Sequence, residues 1–122
     1  MYTIRKEFHC SCAHKLDGLP PEHPCSRLHG HNYIIVAELS LPNTNSIGFV
    51  IDYRELEDIK KFVDDVMDHR YLNEVFVFNP TAENMAKHIY CKFKSIYPML
   101  SAIEVSETPK TEARYSPNYD EV

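Results

Sequence analysis

The chain lacks a long hydrophobic run. No window approaches the ~20 apolar residues that span a bilayer, and the opening MYTIRKEFHC has no apolar stretch of signal-peptide length, so a cytoplasmic protein without a membrane partner is expected. It also lacks a basic excess. Lys and Arg number 13 against 18 Asp and Glu, a net charge of -5, which leaves no field to hold a nucleic-acid backbone over a wide area. Any anionic ligand must be met by a local pocket. Internal repeats, low-complexity tracts and interdomain linkers are absent as well, so the 122 residues are expected to form one domain, 1–122. Without an export signal, Cys10, Cys12, Cys25 and Cys91 are expected as thiols or metal ligands rather than disulfides.

What is present is an ordinary globular composition with a clear change of period. Hydrophobic residues make up 43% and charged residues 25%. Residues 2 to 14 mix Tyr, Thr, Ile and Phe with polar neighbours and predict a strand, and HNYIIVAELSL, from His31 to Leu41, predicts a stronger one that pairs with it. PNTNSIG is turn material, and Phe49 to Asp52 predicts a short further strand segment. From Asp52 the apolar residues Leu56, Ile59, Val63, Val66 and Met67 recur at helical steps. A second helix is announced by NPTAEN, with Thr81 as N-cap and Met85, Ile89, Phe93 and Ile96 on one side, ending before Pro98. LSAIEVSET from Leu100 and EARYS from Glu112 then predict two closing strands around the turn containing Pro109. The order β, β, α, α, β, β is that of an α+β fold: an antiparallel four-stranded sheet with two helices on one face.

The stretch HPCSRLHGHNY, residues 23 to 33, concentrates the chemistry. On a strand, residues two apart share a face and lie roughly 6.5 Å apart, so His29 and His31 can bend onto one metal ion, with Gly30 leaving the space between them open. His14 offers a third imidazole if the first two strands pair. Three histidines without a fixed fourth ligand describe a catalytic zinc site. Two hydrogen-bonded imidazoles in a turn would share the spacing. Cys10 and Cys12 fall on the face of His14 and fit small buried apolar residues better than ligands. Cys25 precedes His29 by four residues with Arg27 nearby, and a cation there favours a thiolate base or nucleophile, although an ordinary packed cysteine fits equally.

Two further places stand out. MDHRYLN puts Asp68 beside His69 at the end of the first predicted helix, where a histidine suits the C-terminus but an aspartate opposes the helix dipole. A carboxylate next to an imidazole is the equipment of a proton relay. In AIEVSET, Glu107 continues the row of Ile103 and Val105 and would be costly to bury without a partner. Two adjacent N–H donors, such as the 2-amino-4-oxo edge of a pterin or guanine, would supply one. A solvent-exposed glutamate at the strand end is the plainer alternative.

In order along the chain, FHCSCAHKL, PCSRLHGHNY, DYRELE, MDHRYLN, NPTAENMA and VSET resemble the 6-pyruvoyltetrahydropterin synthase superfamily, in particular its 6-carboxytetrahydropterin synthase branch in queuosine biosynthesis. The resemblance implies the tunnelling fold, whose sheets join into a barrel within homohexamers (dimers of trimers). It implies zinc on His14, His29 and His31, and a catalytic triad of Cys25, Asp68 and His69, the last pair reaching a neighbouring subunit's site. It further implies Glu107 as the anchor of the pterin ring, with Thr81 beside it. The implied substrate is 7,8-dihydroneopterin triphosphate, and the implied products are 6-carboxy-5,6,7,8-tetrahydropterin, acetaldehyde and triphosphate. Lys15 and Arg27, the nearest cations in sequence, are expected to meet the triphosphate. The three residues between Cys25 and His29 match the carboxy-forming branch, where the pyruvoyl-forming branch resembles a five-residue spacing. A 6-pyruvoyltetrahydropterin synthase and a pterin- or metal-binding module without turnover are the alternatives. The sequence departs from the usual pattern at Cys10 and Cys12, where Ala or Ser is common. His9, His23 and His88 are expected to be solvated or packed.

Overall fold

The computed structural model describes residues 1–117, and the end of the expected domain, 118–122, lies outside the described residues. Its frame is a four-stranded antiparallel sheet built from β1 (Tyr2–His14), β2 (His29–Leu41), β3 (Leu100–Thr108) and β4 (Thr111–Tyr115), in the order β1-β2-β3-β4. Strand alternation in β1 buries Phe8, Cys10, Cys12 and His14 and exposes Glu7, His9 and Ser11 between them. β2 pairs with β1 in an unbroken register from Tyr2 opposite Leu41 to His14 opposite His29. That register fixes the site before any helix is added. Phe8, Ile35, Val105 and Ala113 form one cross-strand row, followed toward one end of the sheet by Cys10 with Tyr33, Cys12 with His31, and His14 with His29. An apolar face thus grades into imidazoles over three rows.

The helices cover this graded face. α1 (Glu57–Lys61) continues into a π-helical turn, Phe62–Met67, and α2 (Leu72–Val75) and α3 (Ala82–Phe93) follow. α3 starts where the sequence places its cap: Thr81 Oγ1 accepts the Asn84 N–H at 3.1 Å, and Met85, Ile89 and Phe93 then fall on the buried side. With Leu56, Ile59, Val63 and Met67 they complete the core, each full burial contributing about 1.5–3 kcal/mol.

The structure departs from the sequence expectations at four places. Phe49 to Asp52 is not a strand, because the Asn45 side chain takes the N–H groups of Ile47, Gly48 and Phe49 at 3.0–3.1 Å and closes them into a loop. Val66 is exposed although it fits the helical stripe: the Asp68 N–H reaches back five residues to the Val63 carbonyl, and this wider turn keeps Val63 and Met67 inside while rotating Val66 out. Ile96 is exposed because α3 ends at Phe93. The short α2 was not foreseen; one turn leaves too few residues to show a period.

Among the described residues the other face of the sheet carries no helix, yet it buries two carboxylates. Glu38 and Glu104 are 8% and 5% exposed. Arg114 grips Glu38 through two hydrogen bonds of 2.8 and 3.2 Å, and Arg5 pairs with Glu104 across the intervening strand.

Candidate metal centre

The two imidazole rows converge. Nitrogens of His14, His29 and His31 lie within 4.8 Å of one another, the one group of metal-ligating type found among the described residues. Backbone carbonyls set the tautomers of two of them. His14 Nδ1 lies 2.8 Å from the Pro80 carbonyl, just ahead of α3, and His29 Nδ1 lies 2.7 Å from the Arg27 carbonyl. A carbonyl only accepts, so each Nδ1 carries the proton and each Nε2 presents a lone pair. Those two lone-pair nitrogens face one another at 3.0 Å. Such an approach needs a cation between them. Burial pushes the titration of His14 and His31 down, which disfavours an imidazolium at either. His31 Nε2 is itself buried without a partner. The donor set therefore fits a divalent ion of the zinc type, held by three nitrogens with a further position open.

The other predicted residues surround this group unevenly. Glu107 Oε2 stands 3.7 Å from His31 Nε2, so the carboxylate that continues the apolar row does reach the cluster. It also lines a cavity of about 500 Å³ with Ala82, Val105, Ala113 and Tyr115. Thr81 precedes Ala82 there, its hydroxyl oxygen accepting the Asn84 N–H as the cap of α3. Cys25 is half-buried in a short 3-10 turn, Pro24–Ser26, whose carbonyl at Cys25 accepts the Leu16 N–H at 2.8 Å and so ties the turn to the end of β1. His23 caps that turn, its Nδ1 accepting the Cys25 N–H at 3.0 Å, which gives a structural job to a residue the sequence left as solvated or packed. Lys15 and Arg27 are exposed near the two ends of this loop.

Asp68 and His69 sit along the outer edge of β1. Asp68 Oδ1 accepts the Ser11 N–H at 2.9 Å, Asp68 Oδ2 lies 2.9 Å from His69 Nδ1, and the His69 N–H donates to the Ser11 carbonyl at 2.7 Å. The Ser11 N–H, then the imidazole, hold the Asp68 carboxyl below the usual carboxylate range. His69 has a φ of 59°, a left-handed conformation that costs a non-glycine residue of order 1–3 kcal/mol and persists only where neighbours enforce it. Its ring is 83% exposed. His69 shares a cleft of about 490 Å³ with His31, Gly30 and Asn32, but no hydrogen bond or ion pair joins it to Cys25 among the described residues.

Cys10 and Cys12 stay outside the metal group. Their sulfurs lie 3.4 Å apart and Cys12 donates to the Met67 carbonyl at 3.0 Å, so they behave as the small buried residues of the apolar row. Two asparagines that the sequence did not single out hold the rim. Asn73 bonds both the N–H and the carbonyl of Lys15, and Asn79 does the same for Asp17. The only advance sign was their position inside MDHRYLN and NPTAEN.

A family model described as 6-pyruvoyl tetrahydropterin synthase matches residues 3–118. The 6-carboxy-5,6,7,8-tetrahydropterin synthase of Rickettsia bellii is 30% identical over 88% of this chain and 93% of its own. The Bacillus subtilis protein of the same name is 30% identical over 95% of this chain and 86% of its own. Among solved structures, Caenorhabditis elegans 6-pyruvoyl tetrahydropterin synthase superposes with a TM-score of 0.83 at 28% identity, covering 96% of each chain. The tunnelling-fold arrangement anticipated from the sequence is the one observed, and the chain belongs to the 6-pyruvoyl tetrahydropterin synthase family.

Proposed function

We propose that this chain, acting as one domain over residues 1–122, converts 7,8-dihydroneopterin triphosphate and water to 6-carboxy-5,6,7,8-tetrahydropterin, acetaldehyde and triphosphate with zinc at His14, His29 and His31, as a cytoplasmic step of queuosine biosynthesis. The observation that carries the reading is the pair of carbonyl-fixed imidazoles whose lone pairs meet at 3.0 Å beside His31 and Glu107. Relatives bearing the 6-carboxy name at 30% identity support the product assignment. Bound zinc would supply Lewis acidity toward the side-chain hydroxyls of the substrate.

The chain's own groups take the remaining roles. Glu107 accepts two parallel hydrogen bonds from the pterin's adjacent N–H donors, and its cavity beside Ala82 and Tyr115 receives the flat ring. Thr81 adjoins that cavity through its neighbour Ala82. Cys25 acts as base or nucleophile on the substrate side chain. Asp68, kept ionised by Ser11, orients His69 so that the imidazole holds and returns a proton. Lys15 and Arg27 meet the triphosphate, whose departure leaves an anion at the loop mouth. The His69 ring, paired with Asp68, is largely exposed, which supports completion of the site by a neighbouring subunit in a homohexamer of the family type. β4 bounds the sheet on the far side from β1, so chain-to-chain pairing of these edges would close the barrel.

Zinc-loaded protein incubated with 7,8-dihydroneopterin triphosphate should yield the 6-carboxy pterin by mass spectrometry and trappable acetaldehyde. A 6-pyruvoyl product without acetaldehyde would select the second reading, which the C. elegans structure at TM-score 0.83 favours. Unchanged substrate would leave a binding module. Cys25→Ala should keep zinc and fold while losing roughly 10²–10⁴-fold in turnover; full activity in that variant would remove Cys25 from the mechanism.

A further inference from the structure

Two buried side-chain polar atoms among the described residues lack a hydrogen-bond partner: His31 Nε2 and the Tyr33 hydroxyl. An ion on the imidazoles accounts for the first. It does not account for the second, because a neutral phenol is not a ligand of such a site. Tyr33 is 1% exposed, and its ring meets those of His14 and His31 edge-on at centroid distances of 5.8 and 5.5 Å. A hydroxyl sealed in this way normally has an acceptor.

The sheet register identifies one. The β2–β3 ladder ends with Ile34 opposite Ser106, and continuing its antiparallel register by one residue would set Tyr33 opposite Glu107, whose carboxylate lies on the face that also carries His31. Residues directly opposite hold their Cβ atoms about 4.5–5.5 Å apart, within reach of a tyrosine and a glutamate. In this structure Glu107 leans toward His31 Nε2 instead, at 3.7 Å, too far for a hydrogen bond. Once that nitrogen turns its lone pair to an ion, Glu107 has a nearby free donor in Tyr33.

We infer that Tyr33 is the positioning residue of Glu107: with an ion on the three imidazoles, its hydroxyl donates to the Glu107 carboxylate. The bond restrains the carboxylate from closing over the ion as a fourth ligand and aims its remaining lone pairs at the incoming ligand. This rests on the reading of Glu107 as the ligand's acceptor.

The test is a double-mutant cycle of Tyr33→Phe and Glu107→Ala, read as unfolding equilibria at saturating zinc and again after chelation. At saturating zinc, Tyr33→Phe should shift the unfolding constant about tenfold or more toward unfolding in the Glu107 background, and at most about twofold in the Glu107→Ala background. After chelation the coupling should vanish. Equal effects in both backgrounds at saturating zinc overturn the inference, as does a protein that takes up no zinc. Binding of 7,8-dihydroneopterin is then measured on the zinc-loaded proteins. Absence of binding by the unaltered protein overturns the pterin reading while the cycle still decides the Tyr33–Glu107 pair; binding about tenfold weaker in Tyr33→Phe supports both.

Discussion

The two faces of this sheet bury polar groups in opposite ways. On the face without helices, Glu38 and Glu104 are each answered by an arginine of the same chain, so the lattice of Arg5, Glu38, Glu104 and Arg114 closes on itself. On the helix-covered face, at the end where β1 meets β2, two imidazole lone pairs confront each other and His31 Nε2 and the Tyr33 hydroxyl go unanswered. Folding alone explains the first arrangement. The second is finished only by something that is not part of this chain, because an unmade buried hydrogen bond costs about 1–3 kcal/mol. Satisfied polar burial is structure; unsatisfied polar burial, held in place by carbonyls and strand register, is a site.

That contrast is broken most forcefully at His31. His31→Ala should abolish turnover and weaken zinc binding by at least ~100-fold, yet leave the metal-free fold as stable as before, because it deletes an orphan rather than a partner. Zinc titration and urea unfolding in the presence of chelator measure the two effects separately. A large loss of metal-free stability would show that the imidazoles are structural, and the distinction between the faces would fail.

Most of the fold was legible because it depends on period. The strand composition of β1 and β2, alternation from Phe8 to His14, the apolar steps of α3 and the Thr81 cap are local patterns, and the structure follows them. The histidine cluster was legible for the same reason: once β1 and β2 pair, strand parity carries His14, His29 and His31 to one face. What escaped depends on contacts that no spacing encodes. The Asn45 side chain withholds amides from the strand expected at Phe49 to Asp52, and the π-helical turn rotates Val66 outward. The left-handed backbone of His69 is imposed by Ser11, far away in sequence. The carbonyls of Pro80 and Arg27 that fix the tautomers are invisible to residue type altogether.

On the opposite face the complementary variant is Arg114→Met. It should leave zinc affinity unchanged and cost about 1–2 kcal/mol at neutral pH, less than a fully buried pair because the arginine is half exposed. The sign of its pH dependence is fixed. Hydrogen bonds from Arg114 hold the Glu38 carboxyl below its ordinary value, so the stability it contributes is present above the unfolded-state carboxylate pKa and is lost as the pH falls through the lower, folded one. Without Arg114 the largest influence holding that carboxyl down is gone, so the variant has less of this stability to lose as the pH falls. The gap between the two proteins should therefore hold from pH 7 down to the unfolded glutamate pKa of about 4.3 and narrow below it in acid urea titrations. A gap that widens would show that the arginine does not act through this carboxylate.

Thr81 tests the boundary between the two kinds of burial, since it is satisfied within the chain but directly precedes Ala82, which lines the Glu107 cavity. Its oxygen accepts the Asn84 N–H, which leaves the hydroxyl hydrogen free for a ligand. One group can then serve both the helix and the site. Thr81→Ala should lower stability by about 1 kcal/mol through the lost cap and, in the same protein, raise KM severalfold. Thr81→Ser, which keeps the hydroxyl, should restore both. If Thr81→Ala loses stability with KM unmoved, the hydroxyl belongs with the arginine lattice as a group answered by its own chain, and the ligand-facing acceptors and donors shrink to Glu107 and the histidine end of the sheet.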